Sequence, residues 1–448
     1  MFFWTSAAVT AAKNLECMKT AETKLLTMAK SYAPTSRSPE SWQVTTIDTK
    51  ISRSALSCLK PRKNSCGKDD DDNSKDSVTI HGLHVTTDGP MDPSNYTDTP
   101  LVILHGYMNA GGYFYRNFGS LTNYFQNIFA LDMLGWGLSS RPGFDEVVDG
   151  HTIEGAEDFF VESLEAWREQ NNIDRMILVG HSFGGYMSVA YTERYPERVE
   201  RLLLLSPVGV PDENDPGVKE RVDRMRSSWR GSMFLGVFQT LFEMTNPGAV
   251  LRTLSTERSY GMAQNYVQNR LPEISNPEES TTLADYLYYN AVLPGSGEQF
   301  LKSILTSRIA AKKPLLSRIP NLKVESVSFL YGSTDWMDIT GGLNTQRLCE
   351  TLHQHDDGHS PKTNVYLVPS AGHLLMLQNP ESTSMGMIEA AGGKVDQSLY
   401  SEVLPSMMEP GTHELHGTWL EQTLKARELE KQKSNIPRLS RPAGMATA

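Results

Sequence analysis

Cysteine is scarce in this chain, with 4 in 448 residues. Cys17, Cys58, Cys66 and Cys349 are scattered, without the paired spacing of a metal or redox site. They read as free thiols in a reducing compartment, which implies an intracellular protein. No apolar run approaches the ~18 residues that a membrane-spanning helix requires. A basic surface is also missing: 42 Lys and Arg stand against 53 Asp and Glu, a formal net charge of −11. That balance argues against the cationic face of a nucleic-acid binder, and no nucleic acid is expected as a partner. Met1 to Ala12 is apolar but lacks the basic start of a secretory signal, and the absence of arginine until Arg37 weakens a mitochondrial presequence; mitochondrion, lipid droplet and cytosol all stay open. What remains is a chain long enough for one large domain with a sizeable core.

Against that background one pentapeptide stands out. Gly180-His181-Ser182-Phe183-Gly184 follows an apolar run, 175–179, that reads as a buried strand, and precedes 185–191, which reads as a helix. Strand, G-x-S-x-G, helix is the setting of a nucleophile elbow. A serine on that sharp turn exposes its hydroxyl, and the flanking glycines let strand and helix approach. The backbone N–H of Phe183 then lies at a helix N-terminus, where developing negative charge is stabilised. A second apolar strand, Leu101 to Leu104, runs into His105-Gly106-Tyr107. Such a turn contributes the other oxyanion N–H, here that of Tyr107, with Met108 as its neighbour. Gly106 and Met108 on this turn, and His181 beside the serine, are expected around the substrate. His105 is placed with them, chiefly as an anchor of its loop.

Two later strands supply partners for the serine. Val327 to Tyr331 delivers Gly332-Ser333-Thr334-Asp335-Trp336-Met337-Asp338, and a carboxylate just past this strand is where a triad acid belongs. Asp335 sits at the usual G-x-x-D spacing and Asp338 lies three residues further on; both stand as candidates. Asn364 to Val368 is followed by Pro369-Ser370-Ala371-Gly372-His373, which places His373 as general base, its tautomer fixed by the acid. The turn after the strand at 128–132, from Asp132 to Pro142, reads as structural, its glycines serving a tight turn and Asp132 and Arg141 tying it down. His353, His355 and His359 share a loop with Asp356 and Asp357, but nothing in the pattern calls for a metal there, and neither metal nor cofactor is expected.

The chain divides by pattern. Residues 1–40 suggest an amphipathic helix, with Ala8, Ala11, Leu15, Met18, Leu25 and Met28 near helical spacing. Two readings of it stay open: an interfacial anchor with Phe2, Phe3 and Trp4 at headgroup depth, or a helix packed on the domain's own core. Residues 41–206 form the first part of a core of alternating strands and helices, interrupted by a polar insert at 60–77. That alternation predicts an α/β fold, a mostly parallel sheet with helices on both faces and ligands at the carboxyl ends of its strands. Residues 207–322 turn methionine- and aromatic-rich with helical periodicity and read as a cap suited to an acyl chain. The core resumes at 323–400, and 401–448 reads as a charged helix followed by a disordered tail.

Taken together, these motifs resemble one α/β-hydrolase subfamily. The likeness is carried by His105-Gly106-Tyr107, Tyr113-Phe114-Tyr115-Arg116-Asn117-Phe118, the Asp132 to Pro142 turn, Phe160 to Arg168, Tyr331 to Asp338, Pro294-Gly295-Ser296-Gly297-Glu298 and Ala21-Glu22-Thr23-Lys24-Leu25-Leu26. The group holds the mammalian α/β-hydrolase-domain proteins four and five, the yeast cardiolipin-specific deacylase and plant relatives. It implies the α/β-hydrolase fold and deacylation of glycerophospholipids or lysophospholipids, cardiolipin among them, at a peripheral membrane or lipid-droplet surface. The resemblance also implies two alternatives: a lysophosphatidic acid acyltransferase, or a non-catalytic coactivator of another lipase. The acyltransferase motif of the group is H-x4-D from the last histidine. Here it runs from His373 to Gln378, with glutamine where the group has aspartate.

Overall fold

Among the described residues the strands pair into one sheet of nine. A computed structural model describes residues 2–33, 38–61, 76–89, 92–211, 223, 227, 247–307, 309–337, 339–355, 360–395, 401 and 402. The strands are β1 (Trp42–Ser52), β2 (Ser77–Thr87), β3 (Leu101–Leu104), β4 (Asn127–Leu131), β5 (Met176–His181), β6 (Val199–Leu205), β7 (Ser326–Gly332), β8 (Lys362–Val368) and β9 (Ser401–Glu402). Their order is β1-β2-β4-β3-β5-β6-β7-β8-β9. The inner strands from β4 to β8 run parallel, while β1, β2 and β9 pair antiparallel at the edges.

Both faces of the sheet are covered, and for that reason its strands read as continuous apolar runs. Leu101 and Ile103 of β3 point into one core, Val102 and Leu104 into the other. Helix α1 (Phe2–Ala29), α2 (Ile153–Gln170) and α3 (Phe183–Arg194) flank these cores. On α2 the stripe Ala156, Phe159, Phe160, Leu164 and Trp167 is buried as its spacing predicts, and Thr152 caps the helix through the Gly155 N–H.

Among the described residues of 207–322, the helices longer than one turn are α4 (Pro247–Thr253), α5 (Thr256–Arg270) and α6 (Pro277–Val292). The stretch from Trp229 to Phe242, which carries much of the predicted cap, falls outside the described residues, as do most of the polar insert, the final charged segment and Asp338. Helices α7 (Thr340–His355) and α8 (Pro380–Ala390) complete the core. His353 is exposed on α7, and 356–359 lie outside the described residues.

The second half of α1 takes the packed alternative. Met18, Ala21, Leu25 and Ala29 are buried in the same core as Leu283, Ala284 and Tyr286 of α6. Truncating a buried leucine such as Leu25 to alanine costs roughly 2–5 kcal/mol. Buried polar groups fix the contact. His81 on β2 lies 3.0 Å from Glu22 of α1 and 2.7 Å from Asp48 of β1, and the Tyr286 hydroxyl donates to Glu22 at 3.3 Å. Burial alone would lower the His81 pKa; its carboxylate neighbours overcome that and push it up to about 10. No helix among the described residues is long and apolar enough to cross a membrane.

Candidate functional site

Strand β5 ends at His181 and α3 begins at Phe183, leaving Ser182 alone to turn the chain. It does so at φ +53° and ψ −113°, a conformation that costs a non-glycine residue about 1–3 kcal/mol. The glycines make the turn possible. A Cβ on Gly180 would lie 2.4 Å from the Gly184 carbonyl oxygen, and one on Gly184 would lie 2.5 Å from that of Leu104. The strain is held in place by a bond from the Ser182 N–H to the Leu205 carbonyl at 2.9 Å.

His373 lies on the loop after β8. Its Nε2 is 3.1 Å from Ser182 Oγ and its Nδ1 is 3.2 Å from Asp335 Oδ1. Asp335, just past β7, reaches the imidazole, and its Oδ1 also accepts the Met337 N–H at 3.0 Å; Asp338 lies outside the described residues. Burial works to raise the Asp335 pKa. The imidazole, the Met337 N–H and the neighbouring Ser206 hydroxyl outweigh it, so the carboxyl stays below its ordinary value and ionised.

The histidine loop is fastened on several sides. The Ala371 carbonyl accepts from the N–H and hydroxyl of Thr334 at 2.8 and 3.1 Å. The Gly372 N–H donates to Gln378 Oε1 at 2.9 Å, while Gln378 Nε2 donates to the Arg270 carbonyl at the end of α5, 3.3 Å away. Thus the glutamine that departs from H-x4-D joins the loop to the cap with both ends of its amide; an ionised aspartate has no hydrogen to donate to Arg270. His181 Nε2 donates to the His373 carbonyl at 2.9 Å. Burial, aided by the nearby His373, drives the His181 pKa down to about 3, so this ring is neutral and its proton sits on the donating nitrogen.

On the other side of the serine, Gly106 approaches so closely that an added Cβ would lie 2.7 Å from His181 Nδ1 and 3.2 Å from Ser182 Cβ. Met108 follows at φ +56°. His105 is fully buried, with Nδ1 donating to the Gly106 carbonyl at 2.7 Å and Nε2 accepting the Met133 N–H at 3.0 Å. It anchors the loop as expected but does not line the cavity, so its placement around the substrate is corrected. Both ring nitrogens are already committed within the fold.

Ser182 and His373 open into an apolar cavity of about 470 Å³. Gly106, Tyr107, Met108, His181 and Phe183 line its floor. The cap supplies much of its wall, from Ser259, Met262, Ala263 and Tyr266 on α5 and Leu287 and Tyr288 on α6. Trp336, whose ring centroid is 5.0 Å from that of His373, closes another side. The α5 residues were not singled out from sequence, although their i, i+3, i+4, i+7 spacing is the signal that finds them. Tyr286, two residues before Tyr288 on α6, is buried against α1 instead.

A serine on a strained elbow, hydrogen-bonded through an imidazole to a carboxylate, has the relationships needed for nucleophilic attack on an acyl carbon. Residues 99–380 match the family model described as alpha/beta hydrolase fold. The chain belongs to the α/β-hydrolase family. Within that family it is 32% identical over 295 residues to a rice (Oryza sativa subsp. japonica) protein named probable 1-acylglycerol-3-phosphate O-acyltransferase, matching 65% of this chain and 66% of that one. It is 35% identical over 289 residues to human 1-acylglycerol-3-phosphate O-acyltransferase ABHD5, covering 63% of this chain and 74% of the relative. A mouse (lyso)-N-acylphosphatidylethanolamine lipase is 33% identical over 252 residues, with 56% and 69% covered. The chain spans just under two thirds of the length of the rice and Arabidopsis relatives it matches, at 66% and 63%. Its relatives are named for chemistry on acyl lipids.

Proposed function

We propose that this α/β-hydrolase is a serine lipase that deacylates glycerophospholipids or lysophospholipids. The observation that carries the reading is the hydrogen-bonded series Ser182, His373, Asp335 at the floor of an apolar cavity. His373 Nε2 takes the proton of Ser182 Oγ as the oxygen bonds to the ester carbonyl carbon. The negative charge that gathers on the carbonyl oxygen is held by the N–H groups of Phe183 and Tyr107, a pair worth several kcal/mol, since one such donor alone contributes ~3–4 kcal/mol. His373 returns the proton to the departing lipid alcohol, leaving an acyl-serine. It then deprotonates water, which adds to the acyl carbon and releases the fatty acid with Ser182 restored. Asp335 keeps the proton on His373 Nδ1 and stabilises the imidazolium.

The reading places the protein inside the cell, peripheral to a membrane or lipid-droplet surface. In support, Met262, Tyr266 and Trp336 are exposed large apolar side chains, and all three line the cavity. The test is hydrolysis of a lipid panel by the protein and its Ser182→Ala variant. Serine-dependent fatty-acid release from one class establishes the deacylase and its head group; equal release by both proteins refutes it.

Acyl transfer to lysophosphatidic acid is the second reading, favoured by the names of the rice and human relatives. It uses the same acyl-serine but delivers the acyl group to an alcohol. Gln378, held between Gly372 and Arg270 where H-x4-D has its aspartate, speaks against that motif here. Phosphatidic acid formed from acyl-coenzyme A and lysophosphatidic acid would establish it.

A further inference from the structure

We infer that Asn290, on cap helix α6, is a positioning residue for the loop that carries the oxyanion N–H of Tyr107. The inference rests on the hydrolytic reading above. Asn290 is 3% exposed and spends its whole hydrogen-bonding capacity on backbone and one arginine. Its Nδ2 donates to the carbonyls of Met108 at 2.8 Å and Asn109 at 3.0 Å. Its Oδ1 accepts from the Gly137 N–H at 2.9 Å and from Arg141 Nη2 at 2.7 Å. Two partners belong to the loop after β3 and two to the turn after β4, so one cap side chain joins three segments. The Arg141 guanidinium continues the joint, donating to the Pro294 and Asn290 carbonyls at 3.0 and 3.2 Å.

The location of this joint ties it to function. Met108 holds φ +56°, a left-handed conformation that methionine keeps only when its surroundings hold it there. The two carbonyls that Asn290 grips are that of Met108 itself and that of Asn109, the residue after it. Tyr107 is the residue before, and a shift of about 1 Å in its N–H is enough to cost ~100-fold in rate. Leu287, Tyr288 and Ala291, close to Asn290 on α6, line the acyl cavity. The helix that meets the substrate chain therefore also sets the loop that meets the reacting carbonyl.

Asn290→Ala removes both donated bonds. Asn290→Asp keeps the size and the two accepted bonds but turns a carboxylate oxygen toward two carbonyl oxygens. It carries the same test should the alanine variant fail to fold. Each protein is assayed on a soluble short-chain p-nitrophenyl ester, with active serines counted by a fluorophosphonate label. The expected result is a fall of about 100-fold in kcat per labelled serine with KM within about twofold. In addition, the activity of Asn290→Asp relative to the parent is expected to rise as pH falls, because a protonated carboxyl regains a donor. Unchanged kcat per labelled serine in either variant, even with fewer labelled sites, reduces Asn290 to a fold-holding residue and overturns the inference. A parent that hydrolyses no ester in a serine-dependent way refutes the hydrolytic reading itself, and the role of Asn290 with it.

Discussion

Replacing Asp335 with asparagine tests the proposed acid and separates it from Asp338. In the native site Asp335 Oδ1 accepts from His373 Nδ1 at 3.2 Å and from the Met337 N–H at 3.0 Å. Both bonds go to one oxygen, so an asparagine of nearly the same shape either keeps both with its amide oxygen, without the charge that stabilises the imidazolium, or turns its NH2 group toward both. Where that NH2 faces Nδ1, the ring proton moves to Nε2, and the nitrogen 3.1 Å from Ser182 Oγ can no longer accept the serine proton. Loss of the tautomer in the serine-histidine-aspartate template costs about 10⁴ in kcat, equivalent to ~5 kcal/mol of barrier. The Asp335 side chain is buried, but the substitution keeps its volume and removes a charge, so folding is expected to survive. The assay is steady-state ester hydrolysis of Asp335→Asn and Asp338→Asn, each normalised to fluorophosphonate-reactive serine. The expected outcome is a loss near 10⁴-fold for Asp335→Asn and a change of less than about tenfold for Asp338→Asn. Retention of activity by Asp335→Asn together with its loss in Asp338→Asn would refute the reasoning.

Other perturbations follow from the same contacts. Gly106→Ala puts a methyl 2.7 Å from His181 Nδ1, whose ring is tethered to the His373 carbonyl and cannot retreat freely; kcat should fall about 100-fold while thermal unfolding shows a loss of only ~1–3 kcal/mol. Gln378→Ala frees the Gly372 N–H and detaches α5 from the histidine loop. Each lost bond is worth ~1 kcal/mol, so kcat should drop on the order of tenfold, read on a soluble ester. The His81 pKa is raised to about 10 in the fold from an ordinary 6.5, so its contribution to stability is full below pH ~6.5 and fades as pH rises toward ~10. Thermal melts across that range should show a falling Tm that His81→Gln flattens; a parallel fall in both proteins contradicts the imidazolium latch.

Much of the scaffold was legible because its signals are local. Strands β3, β5, β6 and β7 are apolar runs, and glycines mark the turns where Ser182 and its neighbours sit. Ser182 and His373 stood out for the same reason: each follows a strand at a spacing that backbone geometry restricts. The choice between Asp335 and Asp338 was not legible. Both follow β7 within six residues in sequence, and the meeting of Asp335 with His373 depends on a loop 38 residues later in the chain. The amphipathic stripe on α1 was visible, but its partner was not. An apolar stripe has the same periodicity whether it meets lipid or, as Met18 and Leu25 do, the face of α6. Asn290 left no signal of role, since its partners, three backbone groups and the Arg141 guanidinium, lie 149 to 182 residues away in sequence. A lone asparagine among Tyr288, Tyr289 and Ala291 marked only a polar group that burial would oblige to find partners.

The central claim, that Ser182 attacks the acyl ester of a phospholipid, is tested most directly by a side-by-side lipid hydrolysis screen of the protein and Ser182→Ala. The panel is cardiolipin, phosphatidylcholine, phosphatidylethanolamine, N-acyl phosphatidylethanolamine, their lysolipids and triacylglycerol. The account predicts fatty-acid release from at least one phospholipid or lysophospholipid class by the parent and none by the variant, with both proteins melting at similar temperatures. No release from any class, or equal release by the two proteins, would contradict it and turn attention to a role as coactivator of another lipase.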